Sequence, residues 1–246
     1  RKEMAGAGAD PKLVHGLSSG LKAAATWTRV EVLQNCRECC GGMGFLSDNQ
    51  ICGLITDMNV DVTFEGDNTV LMQQVVKGVL SKHMQKPAPV TLSDFALPDL
   101  SKVLKFREDS LKYRIGLEKN FDDNLDLAVD LGWAVVDSLT LQNFMKEVGK
   151  APASIKSALA DLCLLYALER VERNAVFYVC EQVLDSEGLR NLRQVLNAQC
   201  KRVCGEDGER LVKYCDGFGI PEHLITAPIA KGWRNFHTSN DITPRM

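Results

Sequence analysis

A chain of 246 residues, 45% apolar and 25% charged, holds enough apolar material to close one large domain or two small ones. Its formal net charge of −3, with basic residues scattered among acids, provides no electrostatic footprint for nucleic acid or an anionic membrane surface. No apolar run approaches the roughly 18–20 residues that span a bilayer, and Arg1-Lys2-Glu3-Met4 is not followed by a signal-peptide core. The chain opens on Arg rather than Met, which suggests that further sequence precedes it.

The first predicted element is a helix. Pro11 stands near its start, where a missing N–H costs nothing. Leu13, Leu17, Leu21, Ala24 and Ala25 recur at helical spacing, and Val30, Leu33 and Cys36 extend the stripe towards residue 40. Gly41-Gly42-Met43-Gly44 ends it, because glycines admit positive φ and close approach of another molecule to bare backbone. An irregular stretch, briefly extended over 60–64, leads to a second helix with Asp67 or Asn68 as cap. Its inner side is expected to be Val70, Leu71, Gln74, Val75, Gly78 and Val79.

Pro87-Ala88-Pro89 and Pro98 break the pattern and mark a linker over 85–100. Beyond it the chain reads as helical. One stripe runs through Leu125, Val129, Val136 and Leu139. A long helix runs from Ile155 through Tyr166 to Val183. Another takes Leu189, Leu192, Leu196 and Val203, and a shorter one covers 206–214. Strand signals are nearly absent. The expected fold class is all-α, with two helical bundles covering 1–84 and 101–246.

The histidines, His15, His83, His223 and His237, are far apart, and none stands at ligand or triad spacing. Nine cysteines are an odd number in a large chain. Cys163, Cys180, Cys200, Cys204 and Cys215 read mainly as small buried hydrophobes in a reducing compartment. Cys36-x-x-Cys39-Cys40 with Cys52 lacks the second paired set of a zinc site and the βαβ setting of a thioredoxin-type motif. No metal site is expected.

Two constellations remain. Arg37-Glu38-Cys39-Cys40-Gly41-Gly42-Met43-Gly44-Phe45 is neither a dinucleotide fingerprint nor a P-loop. By itself it reads first as a helix end with a tight turn. In Thr63-Phe64-Glu65-Gly66-Asp67-Asn68-Thr69, two readings stand side by side. One is a plain capping segment. The other sets Glu65 apart as a carboxylate next to Phe64, which away from water would suit a general base.

Three stretches together resemble the peroxisomal acyl-CoA oxidases, the plant-type enzymes especially. They are Leu17-Ser18-Ser19-Gly20-Leu21-Lys22-Ala23, then Cys36-Arg37-Glu38-Cys39-Cys40-Gly41-Gly42, then Thr63-Phe64-Glu65-Gly66-Asp67-Asn68-Thr69-Val70-Leu71-Met72-Gln73-Gln74. Gly219-Ile220-Pro221-Glu222-His223-Leu224-Ile225 and Ala227-Pro228-Ile229-Ala230 resemble the family's tail. The resemblance implies the C-terminal, helical part of such an enzyme, with the N-terminal helical and middle β domains upstream. Residues 1–84 would belong to a first C-terminal helical domain, and those after the linker to a second domain that the related dehydrogenases lack.

The resemblance further implies a reaction and its residues. A fatty acyl-CoA is oxidised to the trans-2-enoyl-CoA with FAD, and oxygen is reduced to hydrogen peroxide. Glu65 would be the base that takes the α-proton while the β-hydrogen leaves as hydride. Its own backbone N–H would help stabilise the thioester oxygen. Gly66 would lie against substrate, Asp67 and Asn68 near flavin, and Gly41 and Gly42 against a flavin nucleotide across a homodimer interface. Met43 and Phe45 depart from the His and Tyr of many members. A peroxisomal location follows from the family, and Pro244-Arg245-Met246 loosely resembles a peroxisomal address. The alternatives are a dehydrogenase using another electron acceptor, or a non-catalytic helical fragment.

Overall fold

The computed structural model describes residues 10–80, 85–118 and 122–231. The tripeptide 244–246, His83 and His237 lie outside them. Among the described residues the secondary structure is helical throughout, without a strand. The all-α expectation therefore holds. The chain divides into two compact units. One comprises Arg1–Ala24 with Asn68–Val212, and the other Ala25–Asp67 with Lys213–Met246.

The first unit takes the opening half of α1 (Pro11–Cys39), then α3 (Asn68–Val79), α4 (Leu97–Leu117), α5 (Leu125–Lys150), α6 (Ala153–Arg173), α7 (Ala175–Cys180) and α8 (Ser186–Cys204). Between α1 and α3 lies α2 (Ile51–Asn59), in the other unit. The inner face of α1 is made of small residues, Gly16, Ser19, Gly20, Ala23 and Ala24, while Leu13, Leu21 and Ala25 are exposed. The expected leucine stripe is thus out of phase. Backbone proximity explains it: a Cβ on Gly78 of α3 would stand 2.9 Å from the Lys12 carbonyl oxygen. The helices meet where neither carries a side chain, and a leucine there would force them apart. In α3 the buried apolar residues are Met72, Val75 and Val76, and Val70 faces outward.

Leu100, Leu104, Leu141, Leu168, Tyr178 and Leu192 close the main core of this unit. Pro98, expected to break the pattern, stands in the first turn of α4, where its missing N–H has no intrahelical partner to lose. The preceding segment is fastened to the unit by Leu92, whose N–H donates to the Val183 carbonyl at 3.0 Å. The expected single helix through 155–183 is two, because Asn174 (φ −107°, ψ 22°) leaves helical geometry between α6 and α7. Its amide Nδ2 donates back to the Arg170 carbonyl at 2.7 Å, an alternative to the helix ladder. Asp185 starts α8 by accepting the Gly188 N–H at 2.7 Å.

One charged cluster is buried in this core. Asp137 of α5 faces Arg107 of α4 at 3.7 Å and Arg170 of α6 at 3.6 Å. Burial outweighs both guanidiniums and pushes the Asp137 carboxyl up to about 6. Of the cysteines read as buried, only Cys163 is so; Cys180, Cys200 and Cys215 are exposed. Burial pushes the Cys163 thiol up to about 11.

The second unit contains the closing half of α1, 3₁₀ turns over Gly41–Phe45 and Ser47–Asn49, and α2. A further 3₁₀ turn, Val60–Val62, replaces the expected extended segment. The end of α9 (Glu209–Asp216) and the turns Glu222–Leu224 and Pro228–Ala230 complete it. Among its described residues only Gly44 and Asn49 are buried. Its described apolar side chains are half-buried or exposed, with Phe45 71% and Phe218 81% exposed.

Candidate active site

Glu65 ends the turn that follows the 3₁₀ segment Val60–Val62. The Phe64 N–H donates to the Val60 carbonyl at 2.8 Å, and the Thr63 hydroxyl donates to the same oxygen at 3.2 Å. Glu65 then takes φ 55° and Gly66 φ 107°. Two successive left-handed residues reverse the chain ahead of α3. Glycine does this freely, but a glutamate does so at a cost of about 1–2 kcal/mol. Among the described residues nothing secludes this carboxylate from water: Glu65 is exposed, and Phe64 beside it is 61% exposed.

Arg29 steadies this turn. Its guanidinium pairs with Asp61 and donates to the Met58 carbonyl at 3.5 Å. The pair is partly solvated, so its contribution is at most about 1 kcal/mol. Immediately after the turn, in the other unit, the Asn68 amide is committed within the chain. Its Oδ1 accepts from Lys22 Nζ at 2.8 Å, and its Nδ2 donates to the Ala23 carbonyl at 3.3 Å. Asn68 is buried and fixes the first residue of α3.

Gly41 and Gly42 stand in the 3₁₀ turn that follows α1. Gly41 has φ 57°, and a Cβ on either glycine would meet nothing within 4 Å. Their backbone faces open space, which is the surface a ligand needs for close approach. Gly44 is the opposite case: a Cβ there would overlap the Arg37 carbonyl, so this glycine closes the turn against the end of α1.

The glycine turn precedes α2 and Glu65 follows it. The nine residues of α2 span about 13 Å at 1.5 Å per residue. The candidate residues thus form two stations, with Glu65, Gly66 and Asp67 at one and Gly41 and Gly42 at the other.

Two residues in this unit escaped the sequence reading. Asn49 is buried, donates to the Met43 carbonyl at 2.8 Å and accepts from the Ile229 N–H at 2.9 Å. Arg29 was the other. Each has a partner distant in sequence, Ile229 for Asn49 and Asp61 for Arg29, so no local pattern announces them. Among the described residues no group of three or more His, Cys, Asp or Glu is placed to hold a metal ion. No described helix is long and apolar enough to cross a membrane.

The two units define an all-helical region, and comparison with known proteins names the family. A sequence model described as "Acyl-CoA oxidase, C-alpha1 domain" matches residues 2–80. One described as "Acyl-CoA oxidase" matches residues 99–232. The chain belongs to the acyl-CoA oxidase family and corresponds to the C-terminal helical portion of its members.

Peroxisomal acyl-coenzyme A oxidase 3 of Arabidopsis thaliana is 30% identical over 258 residues, covering 90% of this chain. The chain spans 37% of that relative's length. The crystal structure of acyl-CoA oxidase 3 from Yarrowia lipolytica shares the fold, with a TM-score of 0.81 at 22% identity over 94% of this chain and 39% of that one. Acyl-CoA oxidase-2 of Caenorhabditis elegans, described as bound with FAD, ascaroside-CoA and ATP, matches with a TM-score of 0.79 at 17% identity. That match covers 94% of this chain and 40% of the other.

Proposed function

We propose that this chain is the C-terminal catalytic portion of an FAD-dependent acyl-CoA oxidase, with Glu65 as the base. The reaction is oxidation of a fatty acyl-CoA to the trans-2-enoyl-CoA, with oxygen reduced to hydrogen peroxide, as a step of fatty acid β-oxidation. The observation that carries the reading is the Glu65 turn. A strained, non-glycine residue is held in left-handed geometry on an exposed turn that the Arg29–Asp61 pair steadies. Strain of this kind persists where the surroundings hold it in place and is common at active sites.

In this reading the Glu65 carboxylate removes the α-proton of the acyl-CoA. The backbone N–H of Glu65 donates to the thioester oxygen as negative charge develops there. A bound flavin would supply the hydride acceptor for the β-hydrogen. Gly66 adds no side chain and lets the acyl chain lie against backbone. Asp67 and Asn68 would be the residues of this turn nearest the flavin, with the Asn68 side chain bonded to Lys22 and the Ala23 carbonyl to fix the start of α3. The exposure of Glu65 in this chain fits a site completed by upstream domains, whose coverage would exclude water and adjust the base.

Gly41 and Gly42 fit the flavin nucleotide, because their backbone is unobstructed. Assignment of the glycine turn to the flavin of a second protomer in a homodimer is part of the same proposal. The family matches over 2–80 and 99–232 support a first helical domain over 1–84, a linker over 85–100 and a second helical domain over 101–246. The second match also favours the oxidase over a dehydrogenase. A peroxisomal location is part of the same proposal, supported by the Arabidopsis relative's name.

The test uses an acyl-CoA oxidase that carries this chain as its C-terminal part. Addition of a fatty acyl-CoA is expected to release peroxide in air. Turnover with an artificial electron acceptor but none with oxygen would point to the dehydrogenase, and a protein without flavin absorbance to the non-catalytic fragment.

A further inference from the structure

The turn that bears Gly41 and Gly42 is held on two sides. On one, Gly44 packs against the Arg37 carbonyl at the end of α1. On the other stands Asn49, one of the two buried residues among those described in its unit. Asn49 Nδ2 donates to the Met43 carbonyl at 2.8 Å, inside the glycine turn. Its Oδ1 accepts at 2.9 Å from the N–H of Ile229, 180 residues further along the chain. Beside it, Gln50 takes left-handed geometry with φ 64° and donates from Nε2 to the Thr226 hydroxyl at 2.9 Å. One buried amide therefore joins the glycine turn to residues 226–230, and a strained neighbour makes a second bond to the same segment.

An amide suits this position because one side must donate and the other accept. A carboxylate would confront the Met43 carbonyl with a second acceptor, and an apolar side chain would leave that carbonyl with the Leu46 N–H alone and deprive the Ile229 N–H of this acceptor. The second unit buries no apolar side chain among its described residues. The shape of the turn therefore depends on these polar bonds rather than on a core.

We infer that residues 226–230, acting through Asn49, form a strut that sets the glycine turn for flavin binding, and that Asn49 is a positioning residue for the cofactor. This rests on the flavin reading of Gly41 and Gly42 above. Its consequence is that the segment near the end of the chain controls cofactor affinity without touching the reacting atoms.

The experiment is a flavin titration, followed by fluorescence and visible absorbance, of the acyl-CoA oxidase carrying this chain. Asn49→Ala and Ile229→Pro, which deletes the donating N–H, are each expected to weaken FAD binding about ten-fold. The double variant is expected to be no worse than either single one, because both cut the same strut. Thr226→Val is expected to cost about two-fold. Saturating FAD is expected to restore turnover in all of them, which general misfolding would not allow.

Gly41→Val separates the two levels of the argument. If it leaves FAD affinity unchanged, the flavin reading of the turn falls. If it weakens FAD while Asn49→Ala and Ile229→Pro do not, the strut alone is overturned. Fully additive losses in the double variant would also overturn it. Should Asn49→Ala fail to fold by circular dichroism, Ile229→Pro and Thr226→Val, at half-buried and exposed positions, decide the question.

Discussion

Leu100, Leu141, Leu168 and Leu192 lose all contact with solvent in the bundle unit, whereas Phe45, Phe64 and Phe218 of the glycine-turn unit keep most of theirs. The first unit is held by apolar packing. The second is held by the Asn49 bonds, the Arg29–Asp61 pair and turn geometry, and it carries Glu65, Gly66, Gly41 and Gly42. Stability and the proposed chemistry are thus sited apart. Exposed apolar side chains and a strained backbone at Glu65 suit the binding surface proposed above.

Matched truncations should break this contrast if it is wrong. Leu192→Ala is expected to destabilise the protein by about 2–5 kcal/mol, through lost transfer energy and the cavity left behind. Phe45→Ala, a larger truncation at an exposed position, is expected to change stability by no more than about 0.5 kcal/mol. Urea unfolding of the two variants measures both, and equal losses would contradict the comparison.

The buried charge in the bundle sharpens it. Asp137 has a folded-state pKa raised to about 6 from an ordinary 3.8. The folded protein holds the proton more tightly than the unfolded chain. Wild-type stability relative to Asp137→Asn should therefore be highest below pH 4 and fall as pH rises to about 6, by about 3 kcal/mol in all. Denaturant melts at pH 4 and pH 7 read this directly, and a difference independent of pH would show that Asp137 titrates normally. Asp185→Ala, which removes the cap of α8, is expected to cost about 1 kcal/mol. Its effect should appear in the melting temperature and leave flavin affinity unchanged.

How much of this was legible in the sequence differs between the units. The glycine turn and the Phe64-Glu65-Gly66 turn were visible because glycine chemistry and motif spacing are local. The phase of α1 was not, because its inward residues are Gly, Ser and Ala, and an apolar pattern ranks the outward leucines above them. The break at Asn174 was hidden by apolar residues on both sides. Asn49 and Arg29 were invisible for a different reason. Each is a polar residue that reaches a partner far along the chain, and no period reports such pairings.

The central claim is that Glu65 is the base. The direct measurement is steady-state turnover of the Glu65→Gln variant in the acyl-CoA oxidase carrying this chain, with FAD content and melting temperature recorded alongside. Glutamine keeps the shape and the backbone N–H but accepts no proton. The account predicts that kcat falls by about 10²–10⁴-fold while FAD content and melting temperature stay at wild-type levels. Near-normal turnover in a flavin-loaded, folded Glu65→Gln protein would contradict it.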